Sequence, residues 1–242
     1  MDTIASHFGI GIQPTGSQDP YSLRRKAAGI LQILDADERL SFSLQQLWNV
    51  ALDILEQEQL LQLERSSVEN ELRAFFRTRL KTLCQAKGIR YDVIEAIEAQ
   101  DDERLPLRME KATFLMDQLS REAFKIEVEA FTRAQNIVAS KDEGATLNPD
   151  LLQEEAEQEL YQVWQEAKQH FAQAQEAASV SQMYETLQTL APVIHRFFDQ
   201  TMVMVKEPEI RQNRLALLRN VVQLCRRFAD FTALVFPSAQ RA

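Results

Sequence analysis

From Leu23 onward, apolar side chains return every three or four residues: Leu23, Ala27, Ile30, Leu31 and Leu34. That spacing keeps them on one face of an α-helix. The same period recurs at Leu72, Phe76, Leu80 and Leu83, at Phe131, Ala134, Ile137 and Val138, and at Ile210, Leu217, Val221, Leu224 and Phe228. Apolar and polar positions nowhere alternate long enough to predict a strand. The fold class is therefore all-α, and short connections between long amphipathic helices imply a bundle with antiparallel neighbours.

Capping and breaking residues place the helix ends. Asp19 and Pro20 suit the cap and first position of the helix carrying Leu23. Ser43 with Gln46 is a capping-box pattern for a helix to about Leu63, and Ser66 with Glu69 opens one that ends at Gly88. A short helix from Asp92 to about Gln100 follows, then one with Pro106 in its first turn to about Leu119, then one from about Arg121 to Ala139. Lys141 to Asp150 reads as a loop, and Leu151 to about Ala178 as a polar, acidic, solvated helix. The next helix, Ser181 to about Val205, contains Pro192, which should kink or split it. The last starts near Pro208 and stops before Pro237. Met1 to Gly11 reads as the end of an element begun upstream, leaving Ile4, Phe8, Ile10 and Ile12 little to pack on.

At 242 residues and 45% hydrophobic, the chain can bury a sizeable core. No apolar run is long enough to span a bilayer and the start is not a signal peptide, so the cytosol is the expected compartment. Cys84 and Cys225 have neither metal nor redox spacing and read as buried free thiols. A net charge of −9 argues at first against an RNA partner. The charge is uneven, however. Asp142 to Pro192 carries ten acidic residues and one basic, whereas Val193 to Ala242 carries eight basic and four acidic, and Arg65 to Arg90 seven basic and two acidic. Nucleic-acid binding depends on local basic faces rather than on the sum.

Catalytic chemistry is mostly excluded. His7, His170 and His195 pair with no Cys, His or carboxylate at metal-ligand spacing, and there is no phosphate loop or nucleophile elbow. No catalytic residue, metal ligand or cofactor is assigned to the chain. Three cationic segments stand out. Arg73, Arg77 and Lys81 lie four apart beside an apolar stripe, as a row that follows a phosphate backbone or as a merely solvated basic face. Arg133 and Asn136 lie three apart and suit phosphate and base-edge contacts, or a structural bond to a neighbouring helix. Arg214 falls at the edge of the last apolar stripe, with Arg211 and Arg219 on a separate arc. Phe197, Phe198, Met202 and Met204 read as core, and His195 as either an RNA contact or a satisfied half-buried ring.

Three stretches carry a family likeness. FGIGIQPTGSQDPYSLRRKAAGIL, Phe8 to Leu31, resembles a segment near the C-terminal end of the β subunit of bacterial tetrameric glycyl-tRNA synthetase. FTRAQNIV is similar to a run of the DALR-type anticodon-binding domain known from arginyl-tRNA synthetases, with Arg133 on that family's arginine and Asn136 matching the glycyl β-subunit form. HRFFDQTMVMV followed by IRQNRLALL resembles the closing helices of the glycyl β subunit. The matches come in family order and cover essentially the whole chain.

The resemblance implies a DALR-type helical bundle with an N-terminal helical extension. Residues 1–40 would end an HD-like helical region, residues 41–242 would form the anticodon-binding domain, and its DALR-like core would begin at about 106. It implies a β-subunit portion that binds the anticodon loop of glycine tRNA within an α2β2 enzyme, away from any membrane. The α subunit would use ATP and Mg²⁺ to activate glycine. The expected RNA contacts are Arg73, Arg77, Lys81, Arg133, Asn136, Arg211, Arg214 and Arg219. Two other readings stay open. One is a non-catalytic protein-interaction scaffold, which the acidic helix favours. The other is the anticodon-binding domain of another synthetase such as the arginyl enzyme, where the PTGSQDPYSLRR segment would not belong.

Overall fold

The computed structural model describes residues 1–37, 39–40, 42–98, 104–139 and 144–236. Among them are eleven α-helices, two short 3₁₀ turns and no strand, as the helical periodicity requires. The chain divides into two compact units, Met1–Ile94 with Glu98–Thr113, and Glu95–Ile97 with Phe114–Ala242. The boundary near residue 40 expected from the sequence falls inside the first unit.

In the first unit, α1 (Asp2–Gly9), α2 (Leu23–Ala36), α3 (Leu44–Gln57) and α4 (Arg65–Ala86) pack on one another, followed by the starts of α5 (Tyr91–Ala96) and α6 (Leu105–Gln118). Asp19 does cap α2, accepting from the amides of Leu23 at 2.8 Å and Arg24 at 3.0 Å. The helix starts at Leu23 rather than Pro20, because Ser22 turns left-handed at φ 54°. The Ser43–Gln46 capping box forms as read, although α3 stops at Gln57, six residues early. The opening segment is not short of partners. Ile4 and Phe8 are buried, and Phe8 meets Phe75 with ring centroids 5.0 Å apart. Burial of each such side chain is worth about 1.5–3 kcal/mol. Ile10 and Ile12 do remain exposed. Gly9 permits a close approach, since a Cβ there would lie 2.8 Å from Leu61 Cδ1.

The second unit holds the rest of α6, then α7 (Glu122–Ala139), α8 (Glu155–Glu176), α9 (Val180–Gln188), α10 (Leu190–Gln200) and α11 (Pro208–Arg226). The 3₁₀ turns are Pro149–Leu151 and Phe231–Ala233. Helix α7 packs on α10 and α11, and α8 on α9 and α10. Phe131 and Phe231 pack at 4.9 Å and Tyr184 and Phe228 at 5.6 Å, joining helix and C-terminal turn in one aromatic core. Pro192 splits its helix as expected. It has no amide to bond the Gln188 carbonyl, and α9 ends at Gln188. Helix α10 stops at Gln200 rather than Val205, so the apolar period lapses there. Met202 and Met204 are consequently exposed at 71% and 47%, not core as read, while Phe197 is fully buried. The acidic helix starts at Glu155, and its Glu157 is buried rather than solvated.

Candidate nucleic-acid interface

The stripe Val68, Leu72, Phe76, Leu80 and Cys84 turns α4 inward and leaves Arg73, Arg77 and Lys81 along its outer side. Arg77 is exposed and paired with Glu98, whereas Arg73 and Lys81 are half-buried. This row belongs to the first unit.

Helix α7 positions Arg133 and Asn136. Phe131, Ala134 and Gln135 face inward, and the Gln135 amide donates to Asp230 Oδ1 at 2.9 Å, tying the helix to the C-terminal turn. Arg133 and Asn136 thereby face solvent together, less than one turn apart. They line a cleft of about 470 Å³ with Thr132, Thr232, Leu234 and Phe236. The Arg133 guanidinium lies 4.3 Å from the centre of the Phe198 ring on α10. That contact is worth about 0.5–1 kcal/mol at an exposed site, and it holds the cation over the ring. Glu129, one turn earlier, lines the same cleft.

The arginines of α11 divide. Arg211 is half-buried and donates to the Val205 carbonyl at 3.3 Å. Arg219 is half-buried, with Nη1 donating to the Ala145 carbonyl at 3.0 Å. Arg214 does not belong to an RNA surface. It sits three and seven residues before Leu217 and Val221, on the buried face, and its side chain is 3% exposed. Its Nε meets Glu157 Oε1 and its Nη2 meets Glu154 Oε1, both at 2.8 Å, and its Nη1 donates to the Met202 carbonyl at 2.8 Å. Burial opposes the charge of Arg214, yet the two glutamates outweigh it and raise its pKa. His195 lies 3.2 Å from the Ile126 carbonyl, a satisfied half-buried ring.

Residues 1–99 match the family model for the glycyl-tRNA synthetase beta subunit, and residues 128–230 match that for the DALR anticodon binding domain. The glycine--tRNA ligase beta subunit of Halalkalibacterium halodurans is 38% identical over 236 residues, covering 98% of this chain and 34% of that protein. The chain belongs to the glycyl-tRNA synthetase β-subunit family. It corresponds to the C-terminal part of such a subunit. The same-named proteins of Moorella thermoacetica and Bacillus subtilis are 37% and 35% identical, each covering 97% of this chain and 34% and 32% of their own lengths. The chain thus spans about a third of the length of the curated relatives it matches. Arg133, Asn136, Arg211 and Arg219 all fall within the DALR match. Sequence reasoning missed Phe198 beneath Arg133, and Tyr161 and Trp164 beside Arg219. The aromatic pair three residues apart on a polar helix was the one local signal. Among the described residues no helix is long and apolar enough to cross a membrane.

Proposed function

We propose that this chain is the tRNA-anticodon-binding portion of a glycyl-tRNA synthetase β subunit. In the cytoplasmic α2β2 enzyme it would support ATP-dependent ligation of glycine to tRNA, with ATP and Mg²⁺ used by the α subunit and no cofactor bound here. The observation that carries the reading is the pair Arg133 and Asn136, exposed together at an apolar cleft inside the DALR match. A guanidinium laid on Phe198 offers a face to an unstacked base and N–H groups to phosphate. The adjacent amide offers a donor and an acceptor to a base edge. Arg73, Arg77, Lys81, Arg211 and Arg219 are the further proposed contacts, with Arg77 having to exchange Glu98 for phosphate.

Filter binding of glycine tRNA, with an anticodon-swapped tRNA as control, tests the reading. Tighter binding of the glycine anticodon supports it. Arg133→Gln is expected to reduce the salt slope of binding by about one. Equal affinity for both tRNAs, or none for either, overturns it.

A further inference from the structure

Resting on that reading, we infer that the cleft between α8 and α11 is a subsite for one unstacked base whose edge carries two adjacent hydrogen-bond acceptors. The cleft holds about 400 Å³ and is lined by Tyr161, Trp164 and Gln165 from α8 and Arg219, Asn220 and Gln223 from α11. Arg219 is pinned through Nη1 to the Ala145 carbonyl, while its Nε and Nη2 are shielded from solvent and meet no acceptor among the described residues. Those two N–H groups share one edge of the guanidinium and grip neighbouring acceptors in parallel. Buried donors without acceptors are unfavourable, so a ligand that supplies both acceptors relieves the site as it binds. The fork lies below the cleft surface. Access requires a lining side chain to swing aside, and the amides of Gln165, Asn220 and Gln223 are rotatable.

The remaining walls specify the ligand. Tyr161 and Trp164, with ring centroids 5.9 Å apart and planes tilted by 36°, offer two aromatic faces, either of which can stack on a base. The amides can accept from an exocyclic amine. A bare phosphate would satisfy the fork and use neither. Cytosine presents O2 and N3 side by side and an exocyclic amine. Uracil sets its N3–H against the fork, donor against donor. Glycine anticodons end in two cytosines, so under the reading above the base is one of these.

The test is fluorescence anisotropy with the full chain and the glycine anticodon stem-loop, alongside stem-loops carrying uracil at each of the two cytosines. Wild type is expected to disfavour uracil at one position by about tenfold or more. Arg219→Lys, which keeps the charge but not the fork, is expected to lose that preference at that position alone, and Trp164→Leu to weaken binding of the parent stem-loop. Full preference at both positions in Arg219→Lys overturns the subsite while the anticodon reading stands. A uniform loss for all three RNAs makes Arg219 a phosphate contact and also overturns it. Should Arg219→Lys fail to fold, unchanged binding by Trp164→Leu overturns it instead. No binding of any stem-loop by wild type overturns both the subsite and the reading beneath it.

Discussion

Replacing Arg214 by Met should unfold the second unit more readily rather than release RNA. The Glu157 carboxylate it neutralises is 0% exposed. Glu157 Oε2 also accepts the amides of Gln153 at 2.9 Å and Glu154 at 2.8 Å, so the carboxylate is locked at the start of α8. Without Arg214 a charge stays buried with no counter-ion, a loss of about 3–5 kcal/mol. The Glu154 contact adds little, because that carboxylate is 41% exposed. At about 2–4 °C per kcal/mol for a domain of this size, the midpoint should fall by roughly 6–20 °C. Urea or heat denaturation followed by fluorescence in a Trp48→Phe background reports on α8 through Trp164, the only other tryptophan. Adding Glu157→Gln to Arg214→Met should restore part of the loss, since the amide carbonyl still caps the helix and no charge is left unpaired. A single variant with an unchanged midpoint and weaker RNA binding would refute the buried role and return Arg214 to the interface.

Burial pushes the Cys84 thiol up to about 11 and the Cys225 thiol up to about 12, so neither should react with a thiol reagent at pH 8 until the protein unfolds. Both values lie above those of an unfolded thiol. Their stabilising contribution is therefore complete below about pH 8.5 and lost as pH climbs toward the folded values, which urea midpoints across that range would record. Gln135→Leu removes a hydrogen bond to the Asp230 carboxylate and should cost about 1.5 kcal/mol in a urea titration. Burial opposes the Asp230 charge, but hydrogen bonds from Thr232 and Gln135 prevail and lower its pKa, so this contribution is complete above about pH 4 and should be lost as pH falls from there through the lowered folded value. Glu129→Gln removes a carboxylate that lines the Arg133 cleft and should tighten RNA binding about twofold in low-salt filter binding, whereas unchanged affinity would take phosphate away from that cleft.

What the sequence made legible was local. The Ser43 box, the Asp19 cap and the break before Pro192 each depend on residues within five positions, and each appears in the structure. Periodicity identified most of the stripes for the same reason. It failed at Met202 and Met204 because a period means nothing once α10 has ended. It set Arg214 at the edge of the apolar stripe and Arg219 on a separate arc, but could not say which of them was already paired. The partners that decide their roles are a carboxylate 57 residues away in one case and a carbonyl 74 residues away in the other. The ring under Arg133 was equally invisible, since the packing of α10 on α7 supplies it.

The same long-range pairings bear on how a chain of net charge −9 could face RNA. A polyanion senses the charges that remain on the surface near it, not the formal total. The densest acidic stretch is partly spent on structure. Glu157 is inside with Arg214, and Glu159 holds Arg196 with Oε2 at 2.6 Å from Nη1. Arg133 is anchored differently, on the neutral ring of Phe198, which orients the cation without cancelling its charge. Arg219 is anchored on a backbone carbonyl, with the same consequence. Fixing a cation with a ring or a carbonyl instead of a carboxylate leaves its charge available and its side chain ordered in advance, which lowers the entropy lost when RNA arrives. Arg77, tied to Glu98, must instead give up a partner before it can help. On these grounds the second unit's Arg133 and Arg219 should contribute more to RNA affinity than the better-aligned row on α4.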